Sequence, residues 1–287
     1  MASAPHNVAM GPESGSLTVS ESYFWARGIA RERARNFYYS FRLLSADKHN
    51  AISAVYAFMR HCDDLSDEQG ASREAIEGWR LELDRALAGD LPPHPVWPGF
   101  VDAVRRFSIP HHIFYDMIEG VLSDLEPRRI QTFDELYQYC YQVASVVGLS
   151  VIHIFGFHDD RAPLLAEKCG IAFQLTNIIR DVKEDADRDR VYLPENDLAR
   201  FKASASEDSE QLRSLLRYEG AKARAYYEES RPLLEMVDAG SRSSLRALMD
   251  IYSALLDEID ASDYDVMRRR ISLPAWKKTW LMLRALI

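Results

Sequence analysis

The sequence predicts an all-α protein built as a single domain. Apolar residues recur at every third or fourth position along almost the whole chain, whereas the alternation of apolar and polar residues that marks strands is nearly absent. No linker rich in Gly, Ser or Pro divides the 287 residues, and no internal repeat of fixed period appears. We therefore expect one helical domain over residues 21–287, after a small and polar N-terminal segment, residues 1–20, that we expect to be disordered.

Residue types that begin helices mark most of the elements. Ser, Thr and Asp cap the first turn of a helix, and Pro is tolerated at its first position. In chain order these signals are Ser45, Ser72, Pro110, Thr132 with Glu135 as a capping box, and Ser206. Together with the apolar period they predict helices over residues 22–44, 48–67, 72–87, 95–107, 110–124, 132–155, 162–184, 207–229, 231–237, 241–261 and 273–286.

Two pairs of carboxylates lie within this helical pattern. Asp63 and Asp67 are four residues apart at the end of the second helix, and Asp181 and Asp185 repeat that spacing at the end of a later one. On a helix this spacing puts both carboxylates of a pair on one face, where they repel each other. Mg²⁺ relieves such repulsion, and it is usually held by one or two carboxylates together with substrate phosphates. The two pairs therefore predict facing walls of one cavity that binds Mg²⁺ and a diphosphate.

Polar residues one or two turns ahead of each pair fit the same interpretation. Tyr56 and Arg60 share a helix face with the first pair, and Gln174 and Asn177 share a face with the second. A guanidinium binds phosphate, and a neutral amide oxygen adds a metal ligand without further repulsion. The alternative for the first helix is a solvated end with an internal ion pair between Arg60 and Asp64, which contributes only roughly 0.3–0.5 kcal/mol.

Residues 136–158 contain no Asp, Glu, Lys or Arg and are long enough to cross a bilayer. The polar side chains within this stretch favour a buried helix instead. Its small residues, Val143, Ala144 and Gly148 among them, either let neighbouring helices pack closely or leave an apolar slot. Such a slot would bind a hydrocarbon chain and gain about 0.8 kcal/mol per buried methylene. The aromatic run at residues 37–41 either packs in the core or presents ring faces that stabilise a cation.

Charge and cysteine content exclude several classes of protein. The formal net charge is −9, and because nucleic-acid binding needs a basic surface, no nucleic-acid partner is expected. Cys62, Cys140 and Cys169 have neither metal-ligand spacing nor the even number of a disulfide framework, so we expect reduced thiols and a cytoplasmic location. Neither a dinucleotide-binding fingerprint nor a nucleophile elbow is present, which argues against dehydrogenases and serine hydrolases.

The C-terminal segment is amphipathic. Trp276, Trp280, Leu283 and Leu286 recur at helical spacing, and Lys277 is one of the basic residues beside them. Such a helix either docks on the core, which we expect here, or rests on a membrane surface. Peripheral membrane contact therefore stays an alternative, and the oligomeric state is open.

These motifs resemble the squalene/phytoene synthase family, the head-to-head prenyl transferases, over nearly the whole chain from residue 22 to residue 286. The similar segments are residues 37–41, 56–68, 139–148, 174–185 and 190–194, and they look most like bacterial members of the squalene pathway. The resemblance implies an isoprenoid-synthase fold, in which helices surround a central cavity and acid motifs hold Mg²⁺ at its mouth. Ser66 and Lys183 depart from the usual family pattern, and neither replaces an expected ligand.

The resemblance also implies roles for individual residues. The metal ligands would be Asp63, Asp67, Asn177, Asp181 and Asp185. The catalytic residues would be the four aspartates of this set together with Arg60 and Tyr139. The substrate-binding residues would be Arg33, Asn36, Tyr39, Phe41, Tyr56, Val143, Ala144, Gly148, Gln174, Arg180, Tyr252 and Arg269.

The reaction implied by the resemblance is a head-to-head condensation, in which Mg²⁺ and arginines stabilise the departing diphosphate. We expect two farnesyl diphosphates to give presqualene diphosphate and, where NADPH serves as a reductant, squalene. The alternative is phytoene synthesis from two geranylgeranyl diphosphates, because residue spacing does not reveal the depth of a pocket. An alternative of another class is a non-catalytic helical assembly factor, and the complete acid motifs argue against it.

Overall fold

The computed structural model describes residues 17–34, 40–67, 71–125 and 129–287, and it does not describe the side chain of Asp67. Helices make up the regular structure of these residues, together with two isolated bridges, Arg129 with Val191 and Phe157 with Val237. The elements are α1 (Val19–Arg33), α2 (Ala46–Asp67), α3 (Arg73–Ala88), α4 (Trp97–Arg106), α5 (His112–Ser123), α6 (Phe133–Cys140), a π turn (Tyr141–Ser145), α7 (Val146–Phe155), α8 (Ala162–Ala186), α9 (Glu195–Phe201), α10 (Glu210–Ser230), α11 (Leu233–Met236), α12 (Ala239–Ala261) and α13 (Ala275–Arg284). The prediction of an all-α protein is confirmed.

The helices pack around one continuous apolar core. Helices α8 and α10 have the most extensive contact, and α2 packs against α1, α4 and α5. The ring of Phe58 on α2 lies within 5.7 Å of the rings of Trp79, Trp97, Phe100 and Phe114, centroid to centroid. Aromatic groups in contact bury large areas and fix their neighbours, so this cluster holds α2 in place. Helix α2 carries the first acid pair.

The N-terminal helix begins earlier than the sequence predicted. The Thr18 hydroxyl accepts a hydrogen bond from the Glu21 amide (3.3 Å), and the Glu21 carboxylate accepts one from the Thr18 amide (2.9 Å). This capping box starts α1 at Val19, so the predicted disordered segment is wrong for residues 17–20, whereas residues 1–16 lie outside the described range. Helix α1 ends at Arg33, well before the predicted end at Leu44.

Helix α9 is not among the helices predicted from the sequence, because Pro194 can end a helix as well as precede one. Pro194 instead precedes the first helical residue, where its missing N–H costs nothing, and Glu195 and Asp197 place negative charge in the first turn. The Glu195 amide donates to the carbonyl of Ile130 (2.8 Å), which ties the start of α9 to the loop before α6.

The π turn interrupts what the sequence predicted as one helix over residues 132–155. A Cβ atom on Gly170 of α8 would lie 2.5 Å from the Ser145 Cα atom, so the two backbones nearly touch. Ser145 Oγ donates to the carbonyl of Glu167 (2.8 Å) at the same contact. Among the described helices, the stretch Phe133–Phe155 alone has the length and composition of a membrane span. This is weak evidence that it crosses a membrane, because 56% of its apolar window is buried among other helices.

Candidate functional site

Helices α2, α7, α8 and α12 and the π turn surround a deep apolar cavity. The space between its walls, counted out to the solvent at the open end, is about 1070 Å³. Seven of the substrate-binding residues implied by the resemblance line it: Phe41, Tyr56, Val143, Ala144, Gly148, Gln174 and Tyr252. The walls are mostly aliphatic and aromatic, which suits a long hydrocarbon chain.

The small residues of the uncharged stretch serve both purposes that the sequence left open. Val143, Ala144 and Gly148 line the cavity, so their size leaves space there. A Cβ atom on Gly148 would also lie 3.1 Å from the Ala166 carbonyl oxygen, and Gly170 contacts Ser145 still more closely. Close packing and an open slot therefore occur on different sides of the same segment.

Aromatic rings form two pairs in the cavity wall. The rings of Phe41 and Tyr56 meet edge to face with their centroids 6.4 Å apart, and the rings of Phe173 and Tyr252 stack at 4.3 Å. Burial raises the pKa of Tyr56 to about 12, and burial raises the pKa of Tyr252 to about 12 as well. Both hydroxyls therefore stay neutral, and all four rings belong to the cavity lining, where aromatic groups can stabilise a carbocation.

A polar pocket forms the mouth of this cavity. Asp63 from α2 and Asp181, Asp185, Gln174 and Asn177 from α8 line the same pocket. Asp63, Gln174 and Asn177 also line the apolar cavity, so the two spaces adjoin each other. The two acid clusters thus face one pocket, as the spacing predicted, although the side chain of Asp67 lies outside the described residues.

The oxygen atoms in the mouth suit a divalent cation. Asn177 Oδ1 is buried and has no hydrogen-bond partner within the described part of the chain. Burial raises the pKa of Asp185 to about 7, and the nearby charge of Asp181 adds to the shift, so a bound cation would favour the ionised form. Among described residues no three acidic, His or Cys side chains converge on one point, and holding Mg²⁺ therefore requires the acids to draw together. The donor set is the one that Mg²⁺ prefers.

Two arginines on the metal helices already have carboxylate partners. Arg60 forms the ion pair with Asp64 that the sequence offered as an alternative, and it also lines the apolar cavity. Its Nε is buried without a partner among the described atoms. Arg180 holds Asp181 through two bonds, Nε to Oδ1 at 2.7 Å and Nη2 to Oδ2 at 2.5 Å. Burial opposes ionisation of Asp181, but the hydrogen bonds and charges of Arg180 and Arg270 hold its pKa below the ordinary value.

Tyr139 lies in the mouth beside a tyrosine and an aspartate to which the sequence signals gave no role. Its hydroxyl donates to Asp124 Oδ2 (3.1 Å), and Tyr192 donates to Asp124 Oδ1 (3.3 Å). The two tyrosine rings stack at 4.8 Å. Tyr192 could have been found from the similarity of residues 190–194 to the family. No sequence pattern around Asp124 indicates a role for it. Arg188 and Arg190 also line the mouth.

Some implied residues are not brought to the site. Arg33 is exposed at the end of α1, and Arg269 is exposed in the segment before α13. Asn36 and Tyr39 lie outside the described residues. Arg270, next to Arg269, contacts Asp181 instead, because the direction of a side chain in an irregular segment does not follow a helical period.

The prediction that the C-terminal helix docks its large apolar side chains on the core is wrong. Trp276 is 71% exposed, Trp280 51%, Leu283 53% and Leu286 57%. Leu281 alone in α13 is buried, at 3%, and it anchors the helix to the core. The apolar face of this amphipathic helix is therefore exposed to solvent at this end of the protein.

Comparisons with known proteins agree with this geometry. The family model for squalene/phytoene synthase matches residues 30–277. A 15-cis-phytoene synthase of Synechococcus elongatus is 34% identical over 93% of the chain and 93% of its own length. A phytoene synthase of Mycobacterium tuberculosis is 36% identical over 93% of the chain and 91% of its own length.

Solved structures show the same fold. A dehydrosqualene synthase in complex with a ligand superposes with a TM-score of 0.86 and 28% identity, covering 93% of this chain and 96% of that one. The squalene synthase HpnC of Alicyclobacillus acidocaldarius gives a TM-score of 0.80 and 26% identity, covering 86% of this chain and 95% of that one. The helical isoprenoid-synthase fold implied by the resemblance is confirmed.

Proposed function

Because the chain belongs to the squalene/phytoene synthase family, we propose that it condenses two molecules of geranylgeranyl diphosphate head to head to form phytoene. The observation that carries this choice is the similarity to proteins named phytoene synthase, which extends over more than nine tenths of both chains. It reverses the order of the two substrates expected from the sequence, where farnesyl diphosphate came first.

The shape of the site supports a long prenyl substrate. The apolar cavity accepts the hydrocarbon chains, and the polar mouth accepts the diphosphates. Each C20 chain has five more carbons than a C15 chain, and their burial would add about 4 kcal/mol per substrate where the cavity accommodates them. Affinity for the longer substrate would therefore come from the depth of the cavity rather than from its mouth.

Different residues at the mouth and in the adjoining cavity would bind the metal ion and assist ionisation of the diphosphate. Asp63, Asn177, Asp181 and Asp185, with Asp67, would hold Mg²⁺, which when bound supplies Lewis-acid neutralisation of the leaving diphosphate. Arg60 lines the adjoining apolar cavity and has an Nε without a partner among the described atoms, and it would donate to a diphosphate oxygen. Below the mouth, the apolar walls exclude water, so a carbocation is not quenched by hydration.

The balance of the reaction needs no reductant. The C1–O bond of one substrate breaks, the double bond of the second attacks that carbon, and loss of one proton closes a cyclopropylcarbinyl diphosphate. A second ionisation, a rearrangement and the loss of another proton give phytoene. Tyr139, held by Asp124 beside the diphosphate mouth, is placed to take part in these proton transfers. Squalene formation would instead need a hydride from NADPH.

Condensation of two farnesyl diphosphates is the second candidate. It is favoured by the two solved structures described above, which are a dehydrosqualene synthase and a squalene synthase. The chain is less than 30% identical to either, so they support the fold and the reaction class more than the chain length.

The test is incubation of the purified protein with Mg²⁺ and either substrate, with and without NADPH, followed by extraction of the hydrocarbons. C40 phytoene formed without NADPH supports the proposal, whereas C30 products alone refute the chain length. The absence of any product from either substrate, with a folded protein, would refute the enzymatic function and favour an assembly factor.

We also propose that the exposed face of α13 rests on a lipid surface. Trp276 and Trp280 have the amphipathic rings that favour the interface between lipid and water. Arg284 lies 5.0 Å from the Trp280 ring, and its guanidinium pairs with Asp250. The positive charge of Arg284 beside the exposed tryptophans is therefore already balanced, which favours contact with a zwitterionic bilayer over an anionic one. A product without polar groups would leave the cavity most easily into a bilayer.

Co-sedimentation with phosphatidylcholine vesicles tests this contact. The double variant Trp276→Ser/Trp280→Ser should lose binding, whereas Phe24→Ser, which changes a side chain that is 72% exposed on α1, should not. Equal sedimentation of the wild type and the double variant would contradict the proposal, as would self-association through α13 in place of vesicle binding.

A further inference from the structure

The carboxylate of Asp181 is shared by two guanidinium groups in a symmetric arrangement. Arg270 donates from Nε to Oδ1 (3.0 Å) and from Nη2 to Oδ2 (3.2 Å), and Arg180 donates from the same two atom types to the same two oxygens. An ionised carboxylate has about four acceptor positions, and these four bonds use them all. Asp181 has no acceptor position left for a metal ion in this arrangement.

The two arginines differ in how firmly they are held. Arg180 follows helix α8 and its side chain is only 14% exposed, beside Tyr252. The Arg270 side chain is 38% exposed and belongs to the irregular segment between α12 and α13. Of the two guanidinium groups, the one on Arg270 is the easier to move.

A second acceptor lies within reach of Arg270. Glu184 Oε2, one turn along α8 from Asp181, is 3.4 Å from Arg270 Nε and its side chain is 48% exposed. The backbone around Arg270 does not have to move with it, because Ile271 and Leu273 are buried and anchor the segment. Arg270 can therefore leave Asp181 and keep an ionic partner through a change of its side chain alone.

We infer that Arg270 competes with the divalent cation for Asp181, and that it moves to Glu184 when a metal ion binds. The inference rests on the proposed function, because it takes Asp181 as a metal ligand. Arg270 thereby sets the Mg²⁺ concentration at which the mouth can assemble. A positive charge a few ångströms from the metal is expected to weaken binding by roughly tenfold.

The direct test is equilibrium titration of the full chain with Mn²⁺, with free Mn²⁺ followed by electron paramagnetic resonance and no prenyl diphosphate present. Arg270→Gln should bind Mn²⁺ roughly tenfold more tightly than the wild type. Arg270→Lys, which keeps the charge but loses the two parallel bonds, should fall between them. Arg268→Gln is the matched control, since Arg268 pairs with Asp208 and Asp265, and its affinity should equal that of the wild type.

Nitrogen-15 NMR of the arginine side chains gives a readout that does not depend on affinity. Addition of Mg²⁺ should shift the Arg270 Nε–H resonance, assigned by its absence from Arg270→Gln, in the wild type and in Arg268→Gln, and an unshifted resonance would overturn the inference. Equal Mn²⁺ affinity in the wild type, Arg270→Gln and Arg270→Lys would overturn the inference and leave the proposed function standing. Failure of all four proteins to bind Mn²⁺ would overturn the inference together with the metal site of the proposed function.

Discussion

The contact between Gly170 and Ser145 gives the sharpest test of the packing beside the cavity. In Gly170→Ala, the new Cβ would lie 2.5 Å from Ser145 Cα and 2.8 Å from Ser145 N, whereas ordinary contact begins near 3.4 Å. Both are backbone atoms, so rotation of a side chain cannot relieve the clash, and α8 and the π turn must separate by about 1 Å. Overpacking at the upper end of its usual range costs about 3 kcal/mol, and the helix propensity of Ala returns about 1 kcal/mol. We expect a net loss of about 2 kcal/mol.

Differential scanning calorimetry measures this loss. For a chain of this length, about 2 kcal/mol corresponds to a fall in Tm of about 4 °C. Gly28→Ala and Gly78→Ala are matched controls, because both glycines lie in helices with nothing within 4 Å of the new Cβ, and both variants should melt at or above the wild-type temperature. A Gly170→Ala variant that melts as late as these controls would show that α8 and the π turn are not in the described contact.

Three further predictions concern ionisable groups. Asp185→Asn should lower prenyl turnover by at least roughly 100-fold. Its Tm should be unchanged or raised, because a buried charge is removed. Turnover equal to that of the wild type would contradict the role of Asp185 as a metal ligand. Burial raises the pKa of Glu219 to about 7 from an ordinary 4.5, so its contribution to stability is present below pH 4.5 and is lost as the pH rises to 7. Calorimetry from pH 4 to 8 should show a smaller loss in Glu219→Gln than in the wild type, because Asp185 contributes in the same pH range in both. Lys48→Met removes hydrogen bonds to the Phe155 carbonyl (2.5 Å) and to Ser241 Oγ (2.9 Å). Urea titration should show a loss of about 1 kcal/mol in the free energy of unfolding, which is small because Ser241 still donates to that carbonyl. An unchanged free energy of unfolding would contradict the contact.

The parts of the site that lie on long helices could be predicted from the sequence. The spacing of Gln174, Asn177, Asp181 and Asp185 fixes one face of α8, and the structure shows that face in the same pocket as Asp63 of α2. The periodicity of a helix determines which side chains share a surface, so no knowledge of tertiary structure was needed for this step.

Features that depend on contacts between distant segments could not be predicted. The π turn ends at Ser145, where Gly170 of α8 approaches it closely, and no local sequence signal at either residue indicates this contact. Arg270 rather than Arg269 reaches Asp181 because the chain around them is irregular. The exposed tryptophans of α13 follow the same helical period as a docked face, and only the packing of Leu281 decides which side faces the core.

The π turn has a consequence for how the cavity could change its shape. A π turn holds about one residue more than an α-helical turn, so the residues after it are rotated relative to those before it. Val143 and Ala144 within the turn, and Val147 and Gly148 after it, all line the cavity. Deleting one residue from the turn would rotate the later pair by about 100° and exchange which side chains meet the hydrocarbon. Insertions and deletions at this point, as well as changes of side-chain size, are therefore a route by which relatives of this protein could acquire a different product length.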